Sequence, residues 1–110
     1  MHEAQGRFGL PSATLEALRA VLARHAKVSR AEIYGSRAKG TQRPGSDIDL
    51  TLFGPLLQAA DLLAIEAAID GLNLPYRVDL SLYSQIDDPG LRAHIDRVGQ
   101  PIHPVGAGAR

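Results

Sequence analysis

A chain of 110 residues, 45% of them hydrophobic, can bury one core and leaves little for a second, so one folded domain over 1–110 is expected rather than a disordered chain. The lack of cysteine excludes a disulfide framework and a thiolate zinc site. Zero formal net charge hides an asymmetry: residues 1–46 carry eight Lys/Arg against three Asp/Glu, and residues 47–110 four against nine. With three Tyr and two Phe as the only aromatics and no basic stripe, the composition argues against a long nucleic acid partner.

In chain order, residues 1–10 lack any period and are expected to be loose, as are residues 104–110. Pro11-Ser12 opens a helix expected to reach about Ala26, with Ser12 as N-cap and Leu15, Leu18 and Leu22 as an apolar stripe. His25 near its end reads as a solvated cation at a helix C-terminus. Residues 31–34 form a strand, 35–39 a turn entering a short helix, and 41–45 a loop. A strand that turns at Gly35 into a helix aims free backbone N–H groups at one point, which favours phosphate. Ser36 adds a hydroxyl there. Arg37, Lys39 and Arg43 add cations, although each is more often an ordinary surface charge. Gly35 and Gly40 have the glycine separation of a Walker A loop, but Thr41-Gln42 stands where Lys-Ser/Thr is needed, which argues against a P-loop ATPase.

From Ser46 the pattern alternates: Ile48, Leu50 and Leu52 face one way, and Asp47, Asp49 and Thr51 the other. Acids two apart on a strand sit roughly 7 Å apart at the backbone, within reach of a shared dication. Charges that close repel unless a metal or a proton lies between them. A bare D-x-D, however, more often marks solvated acids on the wet face of an edge strand.

Gly54-Pro55 breaks the chain, and a helix is expected to about residue 69, with Gly71 as C-cap. Leu56, Leu57, Leu62, Leu63, Ile65 and Ile69 nearly encircle it, with alanines between. Such a helix usually buries more than one face, which points to contact with another protein or a second copy of this chain. The plainer reading is that alanine makes a mild surface. Residues 73–75 are a turn and 77–83 a strand, with Val78, Leu80 and Leu82 on one face and Asp79 and Ser81 on the other. The helix between the two acidic strands can serve as the crossover of an adjacent parallel pair. With apolar faces aligned, Asp79 then joins Asp47 and Asp49 on one surface. Asp88-Pro89 is an N-cap and N1 pair for a last helix with Leu91, Ile95 and Val98 as its stripe and Gly99 as its end. His94 on that helix reads as a packing or surface residue rather than a metal ligand, and Ile102 belongs to a short extended segment. The most apolar stretch, 56–72, is broken by Asp61, Glu66 and Asp70, so no membrane span is expected and a cytoplasmic location is the default.

Three stretches resemble one family. GSRAKGTQRPGSDIDL, a G-S, ten residues, then D-x-D, is similar to the signature of the minimal nucleotidyltransferases of the DNA polymerase beta superfamily. LPYRVDLSLYSQI resembles the family's third-acid strand, and LRAHIDRVGQPIH its closing helix. The resemblance spans roughly residues 33–103, and no motif position is missing. It implies an α/β nucleotidyltransferase fold, a small mixed β-sheet with helices covering its apolar face. It implies Asp47, Asp49 and Asp79 as catalytic and metal-binding carboxylates for two Mg²⁺ ions, Asp79 being also the candidate base. Gly35, Ser36, Arg37 and Lys39 would hold the nucleotide phosphates. The reaction implied is transfer of a nucleoside monophosphate, AMP from ATP first, to an acceptor hydroxyl. Members of the family often pair with a separately encoded small helical protein of the HEPN or substrate-binding type, and some are antitoxins that adenylylate a toxin partner. A noncatalytic nucleotide-binding module and a homodimer stay open as alternatives.

Overall fold

Strands form where apolar residues alternate and helices where they recur every third or fourth position, in a computed structural model that describes residues 6–104. Helix α1 is Ser12–Ala23, followed by β1 (Arg30–Tyr34) and the short α2 (Gly35–Lys39). Next come β2 (Ile48–Phe53), α3 (Ala59–Asp70) and β3 (Val78–Leu82). Helix α4 (Pro89–Val98) and β4 (Gln100–His103) complete the order. The sheet runs β3-β2-β1-β4. Strands β2 and β3 are parallel, joined by α3 as the expected crossover, and β1 is antiparallel to both β2 and β4.

Pairing of β2 with β3 sets Leu50 opposite Leu80 and Asp49 opposite Asp79, so one choice of register sorts every side chain to a face. The inner face carries Ala31, Ile33, Ile48, Leu50, Leu52, Leu80 and Leu82, and with Leu18, Val21 and Leu22 of α1 and Ile65 and Ile69 of α3 it forms the core. Leu50, in the middle of β2, is fully buried. Leu50→Ala is expected to cost ~2–5 kcal/mol through lost transfer energy and a cavity, read as a lower denaturant midpoint with an unchanged m-value.

The other face is polar and is crossed by α4. His94 meets Tyr34, and Gly99 packs so closely on Glu32 that a Cβ there would overlap its carboxylate. At the far end Tyr83 Oη donates to Asp96 at 2.7 Å, and the Arg92 guanidinium lies 4.4 Å from the Tyr83 ring centre. The expected Asp88-Pro89 start holds: Asp88 Oδ1 accepts from Gly90 N at 2.8 Å.

Some boundaries move. Helix α1 ends at Ala23 rather than near Ala26, and Ser12 is its first residue, with Pro11 at the cap. Helix α3 starts at Ala59, after a turn closed by Leu57 N–H donating to the Gly54 carbonyl at 3.2 Å. Its start is fixed by a capping box, Gln58 N–H donating to Asp61 Oδ2 at 2.8 Å, which the sequence reading missed because Gln is an uncommon cap. Only one face of α3 is core; Leu63 is 65% exposed and Leu56, just before the helix, 69%. Residues 6–10, expected to be loose, are ordered: Arg7–Gly9 form a 3₁₀ turn and Leu10 is 1% exposed. A single buried leucine and a buried arginine elsewhere hold this segment, and neither leaves a periodic trace. Residues 1–5 and 105–110 lie outside the described residues.

Candidate active site

The acids, the glycine turn and the end of β1 meet at one end of the polar face. Strand register places Tyr34 opposite Asp49 and Asp49 opposite Asp79. Asp47 lies one residue before β2 and is exposed, Asp49 is half-buried, and Asp79 is exposed. Burial first, then the charges of Asp79 and Asp47, push the Asp49 carboxyl above its ordinary range. Asp47 and Asp79 thus both lie near enough for their charges to act on Asp49.

Directly after β1 the chain turns at Gly35, whose φ is 73°, a conformation glycine adopts without a steric penalty. A Cβ built there would strike Asp49 Oδ2. Glycine is therefore needed twice, for the turn and for the approach of its backbone to the acid. Gly40, at φ 78°, ends α2, and Thr41 N–H returns to the Ser36 carbonyl at 2.9 Å. The Gly35 N–H donates to His94 Nε2 at 3.2 Å, and the His94 ring stands edge-on to Tyr34 with centres 6.2 Å apart. His94 is thus part of the site's frame, which sequence reasoning missed. Its spacing on α4 carries no mark of the turn it reaches, 59 residues earlier. Tyr34 is 7% exposed, and burial, partly offset by a hydrogen bond with Ser81 and reinforced by Asp49 and Asp79, raises its phenol above the usual value.

The basic residues divide differently from expectation. Lys39 is exposed at the end of α2, where no hydrogen bond or ion pair holds it among the described residues. Arg37, expected at the phosphates, is only 3% exposed. Its Nε and Nη2 donate to the Ser46 carbonyl at 3.1 and 2.8 Å, and its Nη1 to the carbonyls of Phe8 and Gly9 at 2.9 and 3.3 Å. The physical reason is that three neutral carbonyls satisfy the guanidinium fork inside the fold. Beside it lies a cavity of about 250 Å³ lined also by Gln42, Arg43 and Tyr76.

Among the described residues no three His, Cys, Asp or Glu side chains form a ready-made metal cage. Mg²⁺ does not require one, because it keeps several waters and takes one or two carboxylates with substrate phosphate. The hard carboxylate oxygens and the repulsion that raises Asp49 suit such an ion.

The model of the family described as polymerase beta, nucleotidyltransferase matches residues 16–104. No curated protein matches the sequence. Among solved structures, the fold is similar to a crystal structure of a toxin-antitoxin with AMP-PNP, with TM-score 0.66 and 19% identity over 87% of this chain and 74% of that one. It is also similar to a structure of a tri-AMPylated Shewanella oneidensis HEPN toxin in complex with an MNT antitoxin, with TM-score 0.61 and 15% identity over 83% and 70%. The toxin-antitoxin MntA-HepT matches with TM-score 0.60 and 15% identity over the same shares, 83% and 70%.

Proposed function

The chain belongs to the polymerase beta nucleotidyltransferase family, and on that footing we propose that it transfers AMP from ATP to an acceptor hydroxyl, acting as one catalytic domain in the cytoplasm. The observation that carries this reading is the pairing of Asp49 opposite Asp79 across parallel strands, with the charge of Asp47 acting on Asp49 and the Gly35 turn packed on Asp49.

In this reading the acceptor oxygen forms a bond to the α-phosphorus, the bond from that phosphorus to the bridging oxygen breaks, and pyrophosphate leaves. Asp79, exposed on its strand, takes the acceptor proton. Two Mg²⁺ ions, held by Asp47, Asp49 and Asp79, would supply charge stabilisation at the entering and leaving oxygens. Asp49 has the strongest need of a cation, because its charge is the one that burial and both neighbours disfavour. Gly35 packs on Asp49 and Ser36 follows it in the same turn, where the phosphates would be received.

The fold neighbours solved as toxin-antitoxin complexes support a separately encoded helical HEPN-type partner, with a hydroxyl of that partner as the acceptor and neutralisation of a toxin as the output. A second reading is binding of nucleotide or partner without transfer; the His94 nitrogen that accepts from the Gly35 N–H removes one phosphate donor from the turn. Incubation with α-labelled ATP and Mg²⁺, with and without the product of the neighbouring gene, separates the readings. Label on the partner is expected. Label on RNA or a small molecule without the partner would move the acceptor there, and Mg²⁺-dependent ATP binding with no label anywhere would favour binding alone.

A further inference from the structure

Arg37 joins the turn at Gly35 to the segments that lead into Asp47 and Asp79. It stands two residues after Gly35 on α2. Through Nε and Nη2 it holds the Ser46 carbonyl, which belongs to the same rigid peptide plane as the amide of Asp47. Ser46 is itself closed into a turn, its N–H donating to the Arg43 carbonyl at 3.0 Å and its Oγ accepting from Arg43 N at 2.8 Å. The guanidinium lies 5.0 Å from the ring centre of Tyr76, three residues before Asp79. Through Nη1 it also fastens the 3₁₀ turn at Phe8 and Gly9.

A phosphate-binding arginine presents free N–H groups to the ligand. Here Nε, Nη1 and Nη2 all donate to backbone carbonyls, and the side chain is 3% exposed. We propose that Arg37 is a positioning residue that fixes the Asp47–Asp49 segment and the approach to Asp79 relative to the Gly35 turn, and that it does not bind phosphate. This rests on the reading of the three acids as the Mg²⁺ site. Lysine cannot replace it: an ammonium is a point charge without the planar fork that spans separate carbonyls, and burial disfavours its charged form.

The test is Arg37→Lys in the full chain, with circular dichroism to confirm folding, Mn²⁺ affinity measured by electron paramagnetic resonance, and kcat and KM for ATP. A misplacement of about 1 Å is enough to cost roughly 10²-fold in turnover, so kcat is expected to fall by about that factor while KM for ATP stays within about twofold. Mn²⁺ binding is expected to weaken about fivefold or more. Arg37→Lys that raises KM for ATP tenfold, with kcat and Mn²⁺ affinity unchanged, would make Arg37 a phosphate ligand and overturn the proposal. Tyr76→Leu removes only the ring beneath the guanidinium and decides the matter if Arg37→Lys does not fold: weaker Mn²⁺ binding supports positioning, and unchanged affinity contradicts it. Mn²⁺ binding is read without turnover, so wild-type protein that binds the ion but transfers no nucleotide sinks the transferase reading and leaves this one standing.

Discussion

Gly35→Ala is expected to lower nucleotidyl transfer by roughly 10²-fold or more, the scale that a displacement of about 1 Å at a reacting centre produces. Two effects act at one atom. At φ 73° a Cβ carries a penalty of about 1–2 kcal/mol, and the added methyl would overlap Asp49 Oδ2. The chain can relieve the overlap only by moving the acid or the turn, and either shift separates the Asp49 carboxylate from the backbone of the Gly35 turn. The check is steady-state pyrophosphate release together with a melting curve. Near wild-type turnover in a folded Gly35→Ala protein would show that the Gly35–Asp49 approach is not part of the chemistry.

Asp49→Asn is expected to remove activity and at the same time to raise the melting temperature of the metal-free protein. A dication held by shared carboxylates contributes several kcal/mol to charge stabilisation, so loss of one ligand should cost roughly 10³-fold. The stability effect has the opposite sign. Burial, then Asp79 and Asp47, raise the Asp49 carboxyl above its ordinary value, so the folded state holds this proton more tightly than the unfolded chain does. Stability from the protonated form is complete below the unfolded value, about 3.9, and is lost as pH rises through the raised folded value. Asparagine carries no such loss. At pH 7 the variant should therefore melt higher than wild type by a few degrees, on a scale of about 4–8 °C per kcal/mol for a small domain, and the gap should close as pH falls below about 4. Mg²⁺ should raise the melting temperature of wild type and leave that of the variant nearly unchanged. A variant that melts lower than wild type at pH 7 would mean that Asp49 is a structural acid, stabilised by its surroundings rather than strained by them.

The pairing of Asp49 with Asp79 was legible in the sequence because two local signals force it. Alternation puts each acid opposite the apolar residues of its strand, and a helix between the strands makes them parallel neighbours, so burial of Leu50 and Leu80 leaves the acids no other face. The family resemblance was carried by the same residues, and the family model matches residues 16–104, which include them. What could not be read depended on distant partners. Arg37 looks like any surface cation in Gly-Ser-Arg-Ala-Lys, and its burial is decided by carbonyls 9, 28 and 29 residues away. Leu10 sits in an aperiodic stretch yet belongs to the core. His94 reads as packing until α4 is laid across the polar face. Alanine, compatible with core and surface alike, left the buried side of α3 undecided; the structure buries Ile65 and Ile69 and leaves Leu63 in solvent.

The most direct test of nucleotidyl transfer compares ATP labelled at the α-phosphate with ATP labelled at the γ-phosphate, each with Mg²⁺ and the product of the neighbouring gene, for wild type and Asp49→Asn. Covalent label on the acceptor from the α-position only, with the γ-label released as pyrophosphate and both signals lost in the variant, is the predicted result. Label carried to the acceptor from the γ-position, or α-label transfer that survives in Asp49→Asn, would contradict it.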